Sequence, residues 1–332
     1  MASSSSSPPQ DPETLDDLSE AYDRLRDEIG KVIVGQEDII EMVVVCLMAR
    51  GHTLLIGVPG LAKTLLVRTL AGALDLDFSR IQFTPDLMPS DITGTEIIQE
   101  TQNGRHFEFA AGPIFANVIL ADEINRAPPK TQAALLEAMS EGQVSADGTT
   151  YQLPDPFFVI ATQNPVEQEG TFALPEAQRD RFLMKTTLGY PDSEGMRTIL
   201  DRRADRTART PEPKRVIDGE TVPHLQDVPE RVTVDGSLRE YMIALGEATR
   251  ADGRVEVGVS PRGIQRLFEA SRARALVSGR EYVAPDDVKA VVADAFVHRL
   301  VLTSKATVQD TSPSTVVDDI VDRVEVPAVA VD

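Results

Sequence analysis

Between residues 15 and 190, short apolar runs alternate with stretches whose apolar positions recur every three or four residues. That is the pattern of strands and amphipathic helices in a parallel sheet covered on both faces. The runs predict strands at Thr53–Gly57, Asp77–Gln82, Asn117–Asp122, Phe157–Thr162 and Leu183–Thr187. The periodic stretches predict helices at Gln36–Ala49, Lys63–Leu74, Lys130–Ser140 and Pro175–Phe182. Two segments break the rhythm: TEIIQETQNGRHFEFA and QVSADGTTYQL each set Asn-Gly or Asp-Gly between β-prone runs, a strong short-range signal for a hairpin. Residues 191–235 are polar and rich in Arg, Asp and Pro, which predicts a partly helical connector. From residue 236 onward helices are predicted at Ser237–Arg250, Pro261–Val277 and Pro285–Leu300, the last two opening on a proline in the first turn. The predicted organisation is a disordered tail over 1–14, an α/β core over 15–190, the connector over 191–235, and a smaller helical domain over 236–332.

Charge changes this picture by exclusion. Fifty-three Asp and Glu against 33 Lys and Arg leave the chain at −20, and only seven of the basic residues are Lys. Such an excess repels phosphate backbones, so nucleic-acid binding through a basic face is not expected. It also repels itself, at a cost that falls when molar salt shortens the Debye length to about 3 Å. An acidic, Lys-poor composition therefore predicts adaptation to a salty cytoplasm, as in a halophilic archaeon. The single cysteine, Cys46, lies in an apolar stretch and cannot make an internal disulfide. The four histidines show no metal-ligand spacing. No apolar run is long enough to cross a membrane, and the start lacks the basic-then-apolar pattern of a signal peptide. A cytoplasmic, soluble protein is expected.

The candidate chemistry lies between the predicted elements. GVPGLAKT, Gly57 to Thr64, joins a strand to a helix. In a phosphate loop, backbone N–H groups wrap the phosphates at a helix N-terminus, a lysine reaches the β and γ oxygens and a hydroxyl binds Mg²⁺. Gly57, Pro59, Gly60, Leu61, Ala62 and Leu65 would form that loop and its flank, with Lys63 and Thr64 in the two side-chain roles. Ala62 stands where the general motif has its second glycine. Downstream, VILADEINRAP ends a buried strand on Asp122 and Glu123. Beside a phosphate loop, Asp122 would hold the Mg²⁺ water shell and Glu123 would polarise the attacking water. The next strand ends on Asn164, an amide placed to orient that water. In LPEAQRDRF, Arg179 and Arg181 lie near a helix end; either could reach a neighbouring subunit's nucleotide, and Arg181 is preferred. Arg262 sits in the first turn of a helix, where a cation opposes the dipole and so calls for an anionic partner.

Together these residues resemble the AAA+ ATPases, and the segments IVGQEDII, GVPGLAKT, FTPDLMPSDITG, GPIFANVILADEINRAPPKTQAALLEAM, FFVIATQNPVEQEGTFALPEAQRDRF and SPRGIQRL resemble the MoxR family in particular. The resemblance covers residues 20–325 or so, and alanine at 62 is usual within it. It implies a parallel-sheet P-loop core with two hairpin inserts (about 93–112 and 142–153) and a small helical lid. Gly57–Thr64 would be the Walker A loop and Asp122 with Glu123 the Walker B pair. Asn164 would be sensor 1, Arg181 the arginine finger and Arg262 sensor 2, while Val34, Gly35 and Gln36 would flank the adenine. The resemblance further implies ATP/ADP and Mg²⁺ as cofactors, a homo-hexamer with nucleotides between subunits, and remodelling or maturation of a client protein with a von Willebrand A domain. A nucleic-acid motor and a metal-chelatase-type motor subunit stand as the alternatives.

Overall fold

The structure is a computed structural model that describes residues 15–101, 104–146, 148–166, 170–205 and 212–327. The predicted tail, and Asn103 and Asp147 at the two predicted hairpin tips, lie outside the described residues. The chain begins with α1 (Leu15–Gly30) and α2 (Glu37–Met48), then β1 (Thr53–Ile56), α3 (Lys63–Ala73), β2 (Phe78–Gln82), the short α4 (Pro89–Thr93), and the strands β3 (Gly94–Thr101), β4 (Gly104–Ala111) and β5 (Val118–Asp122). It continues through α5 (Pro129–Glu141), β6 (Gln143–Ala146), β7 (Thr149–Gln152), β8 (Phe158–Gln163), the single turn α6 (Glu176–Arg179) and β9 (Met184–Thr187).

Five of these strands form one parallel sheet in the order β2-β5-β8-β1-β9. All five residues of β5 are buried, as expected of a central strand covered on both faces. The register brings the strand ends level: Gln82 pairs with Asp122, Ala121 with Ala161, and Ile56 with Gln163. Every residue that follows a carboxyl end therefore opens onto the same edge of the sheet. Both expected hairpins form, β3 against β4 and β6 against β7. They are joined by Phe109 and Tyr151, whose rings stack at 3.9 Å with 13° between planes, and such pairs add about 0.5–1.5 kcal/mol beyond their buried area.

After β9 come α7 (Ser193–Ala204), α8 (Val222–Leu225), α9 (Gly236–Ala251), β10 (Val255–Val257), α10 (Pro261–Val277), α11 (Pro285–Phe296), β11 (Val301–Leu302), α12 (Ser304–Val308) and α13 (Pro313–Arg323). Two expected helices end early. Pro175–Phe182 shrinks to α6 because Phe182, fully buried, must leave the helix to lead into β9, where Leu183 N–H bonds the His52 carbonyl at 2.8 Å. Pro285–Leu300 stops at Phe296 and tightens into a 3₁₀ turn over Val297–Arg299, which aims His298 and Arg299 into the junction with the core. The helices α1 and α13 escaped the periodicity reading although each shows it: Leu18, Tyr22, Leu25 and Ile29 in the first, Val316, Val317 and Ile320 in the second, are buried at helical spacing.

His52, just before β1, is buried between two layers, its Nδ1 accepting the Val159 N–H at 3.1 Å and its Nε2 donating to the Met139 carbonyl at 3.0 Å. Burial pushes its pKa down to about 4. An unfolded histidine titrates near 6.5, so between about pH 6.5 and 4 the unfolded chain binds a proton that the native state refuses, and stability rises with pH across that window. The depression corresponds to about 3 kcal/mol. Thermal unfolding followed from pH 7 to pH 4.5 is expected to show a steeper fall for the unaltered protein than for His52→Gln. Equal slopes would remove the imidazole as the cause.

Candidate active site

The turn from β1 into α3 is built on left-handed backbone. Gly60 has φ +88°, and Ala62, which caps α3, has φ +59°. For a residue with a Cβ that conformation costs on the order of 1 kcal/mol relative to glycine; alanine, the smallest such side chain, keeps it tolerable. The turn leaves the first N–H groups of α3 facing the loop, where an anion would find both donors and the positive end of the helix. Lys63 is 8% exposed and folds back so that Nζ donates to the Gly57 carbonyl at 2.7 Å. Burial lowers its pKa, and the nearby charges of Asp122 and Glu123 oppose that shift.

Those two acids sit at the end of β5. Asp122 Oδ1 accepts the Thr162 hydroxyl at 2.6 Å, and Oδ2 accepts two N–H groups of Arg80 at 2.7 and 3.2 Å. Glu123 has left-handed backbone, φ +57°, and its N–H donates to the same Thr162 hydroxyl at 2.9 Å. Its carboxylate accepts Gln82 Nε2 at 2.9 Å and lies 3.3 Å from Arg126 Nε. Sequence reasoning missed Arg80 and Gln82. Their signal was a polar pair two residues apart around buried Ile81, the alternation that puts both on one face beside β5. Asn164, 6% exposed, follows β8 directly, and its Oδ1 accepts the Val166 N–H at 3.1 Å.

A cavity of about 890 Å³ opens beside the loop. Val34, Gln36, Pro59, Gly60, Leu61, Ala62 and Leu65, all singled out in the sequence, line it, whereas Gly35, Gly57, Lys63 and Thr64 are not among its lining residues. The opposite wall was not expected: it is formed by Tyr190, the last residue of the predicted core, and by the α7 residues Met196, Ile199 and Leu200 from the segment read as a polar connector. Their i, i+3, i+4 spacing is the signal that was there to read. Tyr190 is 75% and Leu200 62% exposed, apolar surface that a ligand in the cavity would cover. Gly35, at φ +68°, lies in the turn between α1 and α2 that brings Val34 and Gln36 to the cavity.

The three arginines lie elsewhere. Arg181 reaches back to α5, donating to the Leu136 carbonyl and to Ser140 Oγ at 2.6 Å. Arg179 has its Nε buried without a hydrogen-bond partner. Arg262, exposed in the first turn of α10, is not among the cavity's lining residues. A Cβ built on its neighbour Gly263 would stand 2.8 Å from Cδ of Arg299, whose guanidinium holds Asp180, between Arg179 and Arg181. Through Arg299 the helix start that carries Arg262, the residue expected to meet an anion, is tied to the segment that carries the other two arginines.

Fold and site define a P-loop ATPase of the AAA class. A family model described as "ATPase family associated with various cellular activities (AAA)" matches residues 52–184, and one for the AAA lid domain matches residues 247–320. The chain is 44% identical to Chaperone MoxR1 of Mycobacterium tuberculosis over 91% of its own length and 81% of that protein's. It is 45% identical to YeaC of Bacillus subtilis, an uncharacterised protein, over 94% and 97% of the two chains. A crystal structure of a protein from Cytophaga hutchinsonii, assigned as an ATPase, superposes with a TM-score of 0.86 at 42% identity, covering 94% of this chain and 96% of that one. The chain belongs to the MoxR family of AAA+ ATPases. It binds nucleotide and hydrolyses ATP, and none of its described helices is long and apolar enough to cross a membrane.

Proposed function

We propose that this ATPase works as a ring of identical subunits, a hexamer, in which each nucleotide lies between two protomers and hydrolysis drives the remodelling or maturation of a client protein. The observation that carries the reading is the division of the charged residues. The loop, Lys63, Asp122, Glu123, Asn164 and the cavity share one edge of the sheet, while Arg181, Arg179 and Arg262 gather apart from it. A γ-phosphate in transition needs cations beyond one lysine, and a neighbouring copy offers them. Residues 191–235 would link the core over 15–190 to the lid over 236–332, with α7 serving the nucleotide cavity.

In this reading Val34, Gly35 and the α7 face hold the base, and Gly57–Leu65 wraps the phosphates. Lys63 leaves the Gly57 carbonyl for the β and γ oxygens, Glu123 takes a proton from the attacking water, and Asn164 orients that water. Among the described residues no group of three His, Cys, Asp or Glu could hold a metal ion. Thr64 and Asp122 supply a hydroxyl and a carboxylate, the sparse oxygen set that suits Mg²⁺ shared with substrate phosphates. When bound, the ion neutralises charge on the β and γ oxygens. The client role is supported by the name of the mycobacterial relative, a chaperone. A client with a von Willebrand A domain follows from the family resemblance. The charge of −20 favours a protein over a nucleic acid as the partner.

The test is ATP turnover against protein concentration in about 1 M KCl, where surface charge is screened, with light scattering on the same samples. Specific activity is expected to rise steeply as a hexamer-sized species appears. Turnover by a monomer, independent of concentration, would overturn the shared site.

A further inference from the structure

We propose that Arg299 is a positioning residue for hydrolysis, fastening the segment that carries Arg179 and Arg181 to the start of α10 so that these arginines and Arg262 face the neighbouring nucleotide as one unit. The proposal rests on the shared-site reading above. Its ground is how the Arg299 guanidinium is spent. The side chain is 3% exposed, and a charge so buried survives only where its donors are all met. Nε donates to Asp180 Oδ1 at 2.7 Å, and the terminal nitrogens donate to the carbonyls of Asp180 at 3.3 Å, Phe182 at 2.7 Å and Leu183 at 3.1 Å. Two further contacts stay within the helical part, one to the carbonyl of Ala295 in α11 and one at 2.8 Å to His298 Nε2. Every core acceptor thus belongs to residues 180–183, the few residues between α6 and β9.

The placement of those acceptors argues for more than anchorage. Asp180 separates the two candidate finger residues, so fixing its carboxylate and carbonyl fixes the backbone from which both arginines project. On the other side the Arg299 stem lies under Gly263, where any side chain would collide with it, and the Arg262 charge is felt at the guanidinium. One side chain therefore touches the backbone beside all three cations. His298 packs in the same junction, its Nε2 3.1 Å from the Phe182 carbonyl and its ring fully buried. A movement of the helical part at α11 would reach the arginines through Arg299 without crossing the sheet. Lysine could keep the charge but not the planar fork, which spans several acceptors at once.

The test uses Arg299→Lys and, as an independent perturbation that spares the lid, Asp180→Asn. Fluorescent ADP affinity is expected to stay within about 3-fold of the unaltered protein, because the loop and cavity are untouched, while kcat falls by about 10²-fold, the scale of a misplacement near 1 Å. Mixing either variant with Lys63→Ala, which keeps its own arginines but lacks the loop lysine, is expected to restore turnover. Arg181→Ala mixed with Lys63→Ala is the reference. If that pair recovers activity and the Arg299→Lys and Asp180→Asn mixtures do not, Arg299 holds the protomer's own structure only and the proposal falls. It falls also if both variants assemble and keep full kcat. Should the reference pair itself fail to recover, the shared-site reading is wrong, and this proposal goes with it.

Discussion

Arg181→Ala is expected to bind ATP with unchanged affinity and to hydrolyse it about 10³–10⁵-fold more slowly, the usual worth of an arginine finger. Arg181 lies against α5, bonded to the Leu136 carbonyl and Ser140 Oγ. Those are two neutral acceptors on a part-exposed side chain, weaker partners than a phosphate oxygen. Moving to a neighbour's γ-phosphate therefore exchanges bonds to neutral acceptors for stronger bonds to an anion. Equal mixing with Lys63→Ala places an intact lysine against an intact Arg181 at about one interface in four of a head-to-tail ring, so turnover is expected to recover to about a quarter of normal. Arg179→Ala is the matched comparison, since its Nε is buried without a partner. Full loss there with activity retained in Arg181→Ala would transfer the role to Arg179.

Glu123→Gln is expected to bind ATP, stall before cleavage and hold the ring together. The amide keeps the shape of the side chain but cannot accept the water's proton, and a general base contributes about 10²–10⁴-fold. The substitution spares what positions residue 123, because its left-handed backbone and its N–H bond to the Thr162 hydroxyl do not depend on the carboxylate. Loss of rate with unchanged nucleotide affinity would then report chemistry and not misfolding. Single-turnover measurement of γ-phosphate release checks it, with light scattering in ATP to follow assembly. Rapid hydrolysis by the variant would remove Glu123 as the base.

Much of this protein was legible from residue order because its signals are local. Five apolar runs, the Asn-Gly and Asp-Gly pairs and GVPGLAKT each carry their meaning within a dozen residues, and the strands and hairpins formed where they pointed. Even the αL backbone at Ala62 was foreshadowed by the glycine that the general motif has there. What escaped depends on partners distant in the chain. The α7 face looked like part of a charged connector because its three apolar residues have no covering core; only the folded chain sets them across a cavity from Pro59 to Leu65. Arg80 and Gln82 gain their roles from the register that lays β2 beside β5.

Sequence by itself determined the class of fold and the order of the sheet strands and two hairpins, and it singled out Gly57–Thr64 and the two acids as candidates, since backbone propensity and short-range spacing suffice for each. Tertiary structure alone decided which residues share a site. Its place in a helix's first turn singles out Arg262 as a cation opposed to the dipole, but does not say which anion it would meet. That depends on Arg299 reaching more than a hundred residues back in the chain to Asp180, a contact set by packing of the lid on the core and by the need to satisfy a buried guanidinium.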